Sequence, residues 1–135
     1  MTTSRLTELQ TITVADSADL VSFWGALLGA GRFARRTLWL AVLDQDGRPV
    51  PVAMPIDDIP MAPSGPHLDG LGTVVNGIAE YGTVIALLAR PGSATVGEHD
   101  RRWALALAPL APRWPIHLAT ADDGHCRVQP ILVTG

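Results

Sequence analysis

The apolar residues of this chain recur at helical spacing in two long segments. In residues 16–31 they occupy one face of a helix: Leu20, Phe23, Trp24, Leu27 and Leu28. Asp16 or Ser17 is the candidate N-cap of this helix, because a short side-chain oxygen accepts hydrogen bonds from the first turn. A second helix is predicted over residues 68–82, with the buried stripe Leu71, Val74, Val75 and Ile78.

A third helix is predicted to begin at Thr95. Residues 95–98 match a capping box, in which the Thr95 hydroxyl and the Glu98 carboxylate each accept a backbone N–H. The apolar line of this helix is Trp103, Leu107 and Leu110, and the prolines that follow stop it.

Five short apolar segments are typical of strands. They lie at residues 37–43, 48–54, 83–89, 116–120 and 126–133. Pro49 and Pro51 predict that the second strand lies at a sheet edge or contains a bulge, whereas the continuous apolar run at 83–89 predicts a central strand covered on both faces. Since helices separate the strands, we expect an α/β fold: a mixed sheet of about five strands with three helices packed on it.

Composition and charge narrow the class of protein. At 135 residues, with 47% hydrophobic and 17% charged residues, the chain is predicted to be a single domain, residues 1–135. A net charge of −3 argues against a nucleic acid partner, because phosphate backbones are bound by basic residues. The lone Cys126 fits a reducing compartment, and no apolar run is long enough to span a membrane, so we expect a cytoplasmic protein.

The junction between the central strand and the third helix is the candidate site. Free N–H groups and the helix dipole favour an anion at a strand–turn–helix junction. The side chains that would line it are Arg90, Ser93, Thr95, Glu98 and Asp100. The alternative is structural: Arg90 pairs with Glu98 or Asp100 and only shapes the turn. We favour this second interpretation.

The histidines and the cysteine do not form a recognisable reactive set. His99, His117, His125 and Cys126 lack the close spacing of a zinc site, so no metal or cofactor is expected. His117 is expected to be a hydrogen-bonded histidine within a strand. His125 and Cys126 are neighbours in a strand, and their side chains therefore point to opposite faces and cannot form a nucleophile pair.

The order of hairpin, loop, helix, buried strand, Pro-Gly turn, capped helix and closing hairpin resembles the JAMM/MPN family, in particular its RadC-like branch. In that family a strand ends in His-x-His-Pro, and Ser-x-x-Asp follows on the next helix. The two His and the Asp hold zinc, and a separate upstream Glu is the general base. The resemblance covers about residues 37–135, which follow an N-terminal helical segment at 1–36.

The ligand positions of that family are mostly altered in this chain. Leu88 and Arg90 stand where the family has its two His, Gly97 stands at the Ser, and Pro91 and Asp100 match, if one residue is deleted from the turn. One of three zinc ligands therefore survives. The resemblance implies a JAMM/MPN-like fold with a degenerate metal site.

Two hypotheses for function follow. The first is a non-catalytic protein-interaction or scaffold domain that acts through a protein partner or self-association. Trp114, between Arg113 and Pro115, is its candidate exposed aromatic anchor. The alternative is a small-ligand or anion-binding domain, or a hydrolase, that uses the mouth near Arg90. We expect the first, with no catalytic residue and no membrane partner.

Overall fold

The computed structural model describes residues 13–28, 33, 35–122 and 125–132. Its helices are α1 (Ser17–Leu28), α2 (Gly65–Ile78) and α3 (Glu98–Leu107), and a 3-10 turn, Ala79–Tyr81, follows α2. Its strands are β1 (Thr37–Leu43), β2 (Pro49–Asp57), β3 (Thr83–Pro91), β4 (His117–Asp122) and β5 (His125–Pro130). The sequence also predicts that Asp123 and Gly124 lie in the turn between the last two strands and that Gly29 or Gly31 ends α1, and these four residues lie outside the described residues.

The strands form one open mixed sheet in the order β2-β1-β3-β4-β5. β3 and β4 are parallel, as the α3 crossover between them requires, and the other neighbouring strands pair antiparallel. The expected α/β fold, with a mixed five-stranded sheet and three helices, is therefore confirmed. β3 is central and almost entirely buried, and the proline-rich β2 lies at an edge, both as predicted.

Helices cover both faces of the sheet and create two cores. The side chains of one face pack beneath α2 and α3, in a cluster that includes Leu38, Leu40, Ala86, Leu88, Leu71, Val75, Trp103 and Leu107. The opposite face packs against α1, in a cluster that includes Leu43, Ile85, Leu87, Ala119, Leu20, Phe23 and Trp24. Successive side chains of β1 and β3 point to opposite faces of the sheet, so the apolar residues of these strands are divided between the two cores.

α1 begins as the sequence predicts. Asp16 precedes the helix, and its Oδ1 accepts the N–H of Asp19 at 2.9 Å. Asp19 Oδ2 in turn accepts the N–H groups of Ala15 at 2.9 Å and Asp16 at 3.4 Å. This reciprocal arrangement satisfies donors that the first helical turn leaves free.

The second helix and the second strand have different bounds from those predicted. α2 begins at Gly65 rather than at residue 68, because Pro66 lies in its first turn, where the missing proline N–H is not needed. It ends at Ile78, and the 3-10 turn leads to Gly82. β2 continues to Asp57, since an edge strand tolerates Pro55.

The predicted capping box on Thr95 is wrong. α3 begins at Glu98 with Gly97 as N-cap, and the Gly97 N–H donates to Asp100 Oδ2 at 2.8 Å. Thr95 instead lies in the preceding turn, where its N–H donates to Ser93 Oγ at 3.1 Å. α3 also ends at Leu107, so Leu110 packs against the core from beyond the helix.

Over the described part of the chain, no helix is both long enough and apolar enough to span a bilayer.

Candidate functional site

Arg90 is the next-to-last residue of β3 and lies on the face that α3 covers. It is two residues beyond the buried Leu88, so both side chains point to the same side of the sheet. Only 9% of Arg90 is exposed. Gly92 follows with φ +98°, a conformation that glycine adopts without strain, and it turns the chain back over the guanidinium.

The guanidinium of Arg90 is fully hydrogen-bonded within the chain. Nε and Nη2 donate to the two carboxylate oxygens of Asp100, each at 2.8 Å. Nη2 also donates to the Thr95 carbonyl at 3.0 Å, and Nη1 donates to the carbonyls of Pro91 at 3.1 Å and Ser93 at 2.9 Å. These five bonds match the five N–H groups of a guanidinium.

Asp100 connects Arg90 to the start of α3. It is only 2% exposed, and besides the two bonds from Arg90 it accepts the N–H of Gly97. Burial by itself raises the pKa of Asp100. The hydrogen bonds from Arg90 and Gly97, with the charges of Arg90 and Arg36, outweigh burial and leave that pKa below its ordinary value. Asp100 is therefore a carboxylate, and loss of either partner of such a buried pair costs about 3–5 kcal/mol.

The turn between β3 and α3 is held from two sides. Arg90 binds its carbonyls at residues 91, 93 and 95 from within. From β5, the side-chain amide of Gln129 donates to the carbonyl of Ala94. The side chains of Ser93 and Thr95 remain exposed and are joined by an Oγ–Oγ1 hydrogen bond of 3.1 Å.

Four of the five predicted site residues therefore meet at this corner. Arg90 and Asp100 form the ion pair of the structural interpretation, and Ser93 and Thr95 contribute carbonyl oxygens to it. Glu98 is exposed and instead pairs with Arg102 at 3.1 Å. The anion-binding interpretation stays a prediction, and an anion at Arg90 would have to displace the acceptors that already surround it.

The residues at this corner do not fit a zinc ion. Leu88, which the resemblance expected from the sequence aligns with the first His of the JAMM/MPN family, is 3% exposed and belongs to the core beneath α3. Arg90, at the second position, is positively charged, and it already binds both oxygens of Asp100. Among the described residues, no three His, Cys, Asp or Glu side chains come together as a metal site.

His117 and Cys126 lie away from this corner. His117 is fully buried in β4, with Nδ1 3.0 Å from the Pro115 carbonyl and Nε2 3.4 Å from the Ser17 hydroxyl. It is the hydrogen-bonded histidine that the sequence predicts, and burial lowers its pKa. Cys126 is a free, half-buried thiol whose pKa is raised by burial.

An apolar groove of about 400 Å³ lies beside the C-terminal half of α3. Its walls include Ala104, Ala108, Ala111, Trp114, Ile131 and Leu132. Leu132 is 74% exposed, and Leu105, on the helix that forms one wall, is 56% exposed. Trp114 lines the groove and is half-buried against the α1 core rather than freely exposed.

Trp114 and Arg113 also line a second, more polar cavity of about 590 Å³. Its other walls are Val14 and Ala15 before α1, the end of β1 with the β1–β2 turn at residues 43–47, and residues 82–83 at the start of β3. Sequence reasoning identified Trp114 but neither cavity, because each is formed by segments that are distant along the chain. It likewise missed the carbonyls around Arg90, since backbone acceptors carry no sequence signal.

Comparisons of the chain with protein-family models, curated proteins and solved structures find no match.

Proposed function

We propose that this chain is a non-catalytic domain of degenerate JAMM/MPN-like fold that acts by binding protein, in the first place a second copy of itself. The order of its elements supports the fold assignment: a hairpin, a helix, a buried strand, a helix and a closing hairpin. The side chains at the end of β3 are not metal ligands, and this supports the absence of metal-dependent catalysis. Leu88 is not a ligand, and Arg90 repels a cation while it occupies Asp100.

The groove beside α3 is the observation that carries the proposed self-association. Its lining is mainly apolar, and its rim holds Leu132, the most exposed large apolar side chain among the described residues. Apolar surface of this kind, next to an aromatic ring such as Trp114, is typical of protein–protein contacts. A self-complementary contact would bury Leu132 and the groove of both copies at once.

Sedimentation velocity on the full chain tests this proposal. From about 1 µM to about 100 µM the wild type should pass from monomer to dimer. Leu132→Glu should raise the dimer dissociation constant at least about tenfold, because a symmetric contact would bury two like charges. A wild type that is monomeric throughout this range contradicts the proposal.

Met61→Glu is the matched control for that experiment. Met61 is 56% exposed and lies outside the groove lining, so the substitution adds the same charge to an exposed apolar side chain elsewhere. Its dimer dissociation constant should equal that of the wild type. An equal loss of dimer in both variants would mean that added charge, rather than the groove, governs association.

The small-ligand alternative predicts a different result. If the mouth near Arg90 bound an anion, inorganic phosphate would stabilise the wild type but not Arg90→Lys, which has no planar fork. The closed hydrogen-bond set of Arg90 favours the first function over this one.

A further inference from the structure

The five acceptors around Arg90 are all oxygen atoms. Two belong to the carboxylate of Asp100, and three are the carbonyls of Pro91, Ser93 and Thr95. The only formal negative charge among these acceptors is that of Asp100, so together with one guanidinium the corner is neutral.

The turn that carries these oxygens has supports other than Arg90. Gly92 shapes it, Gln129 anchors it, and the Gly97–Asp100 bond joins it to α3. Of these three supports, none requires the side chain of Arg90. The contacts of Gln129 and Gly97 would therefore remain if a free guanidinium took the place of the Arg90 side chain.

We propose that the end of β3 is a binding site for a planar guanidinium cation, and that the chain fills this site with its own Arg90. The site would accept a free guanidinium in place of the side chain, because the oxygens that orient it belong to other residues. This site is independent of self-association. It lies at the corner that corresponds to the zinc site of the resembling family, and it binds a hydrogen-bonding organic cation instead.

The geometry explains why a metal ion is a poor substitute. The five oxygens surround a planar cation, and each lies 2.8–3.1 Å from the nitrogen that donates to it. The oxygens are therefore spaced around a whole guanidinium group rather than around a single atom. Zinc ligands lie about 2.0–2.3 Å from the ion, and zinc prefers nitrogen and sulfur donors. The corner would have to contract and would still offer the wrong donors.

Chemical rescue of Arg90→Ala tests the inference. Removal of the side chain leaves a buried carboxylate without its cation, which should lower the folding equilibrium constant by about two to four orders of magnitude. About 20 mM guanidinium, far below denaturing concentrations, should raise the Tm of this variant by roughly 5 °C. The same concentration should leave the Tm of the wild type unchanged, because its site is occupied.

Two controls separate specific rescue from a general salt effect. Urea at the same concentration is planar but uncharged, and it should not stabilise Arg90→Ala. Arg102→Ala removes the exposed partner of Glu98 from the same helix, and guanidinium should not stabilise it. Stabilisation of either control to the same extent would overturn the inference, and so would the absence of any rescue of Arg90→Ala.

Arg90→Lys keeps the test decisive if the alanine variant does not fold with or without guanidinium. Lysine retains the charge but has a compact ammonium with three donors in place of the fork. Its Tm should fall clearly below that of the wild type, whereas Arg102→Lys should be unchanged. A lysine variant as stable as the wild type would show that the planar site is not needed.

Stabilisation of the wild type by Zn²⁺, lost in Asp100→Asn, would also overturn the inference.

Discussion

Two buried titratable side chains, His117 and Asp100, lie on opposite faces of the sheet and respond to pH in different windows. His117 contacts α1 through Ser17, and burial holds its pKa below the ordinary 6.5. Asp100 faces β3 from α3, and its pKa is below the ordinary 3.8 as the net effect of opposing causes. Stability that depends on Asp100 is therefore present above about pH 3.8 and is lost only in stronger acid.

We expect His117 to reduce stability between neutral pH and about pH 5. As the pH falls through 6.5, the unfolded chain takes up a proton that the folded chain refuses, so the free energy of unfolding decreases. Urea denaturation at about pH 7.5, 6 and 5 measures this decrease. In His117→Gln the decrease should be smaller. An equal decrease in the wild type and the variant would contradict the assignment.

At the scale of elements, two helices begin in the same way although only one was predicted correctly. In α1 and α3 an Asp in the first turn accepts the N–H of the residue before the helix. The cap of α1 involves only neighbours in sequence, so the sequence predicts it. The sequence favours Thr95 as the cap of α3, because Thr95 and Glu98 match the capping-box pattern. The cap that forms uses Asp100, which is held partly by Arg90, ten residues away on another element.

We expect Asp16→Ala to lower the free energy of unfolding by about 1 kcal/mol, the usual value of an N-cap side chain. The reason is the lost bond from the Asp19 N–H to Asp16 Oδ1. Chemical denaturation provides the measurement. Asp46→Ala is a matched control, because Asp46 is exposed in the β1–β2 turn, and it should change the free energy by less than about 0.5 kcal/mol.

At the scale of the whole molecule, the sheet needs cover on both faces. α1 contributes Leu20, Phe23 and Trp24 to a core whose other side is formed by β1, β3 and β4. The JAMM/MPN-like fold that we propose begins only after this helix, at residue 37. The packing nevertheless makes α1 an integral layer of the fold rather than an appendage.

We expect a chain that begins at residue 37 not to fold on its own. Without α1, the face that carries Leu43, Ile85 and Leu87 would be exposed to water. The free energy lost with that burial exceeds the net free energy of unfolding of a typical small domain. Circular dichroism and thermal unfolding of residues 37–135 test this expectation, with the full chain as the reference. A cooperative transition like that of the full chain would contradict it.

Much of the fold could be predicted because it depends on short-range patterns. The continuous apolar run of β3 predicts a strand buried on both faces, and the prolines of β2 are typical of an edge strand. The apolar face of α1 predicts a helix that packs on the core. The site was predicted less completely. The sequence offers Glu98 or Asp100 as the ion-pair partner of Arg90, and the structure selects Asp100. The sequence does not indicate the three carbonyls that complete the site, because a carbonyl's direction is set by the path of the turn.

The sequence by itself determined which segments form strands and helices and which faces of them are apolar, since neighbours within a few residues decide these properties. Only the tertiary structure decided that α3 starts at Glu98, that the donors of Arg90 are all engaged, and that Trp114 and Leu132 line one groove. The groove joins residues 104–116 to residues 131 and 132, and the bonds of Arg90 and Asp100 join β3 to α3 across the turn between them. Their free energy outweighs local preferences such as that of Thr95 for a helix cap.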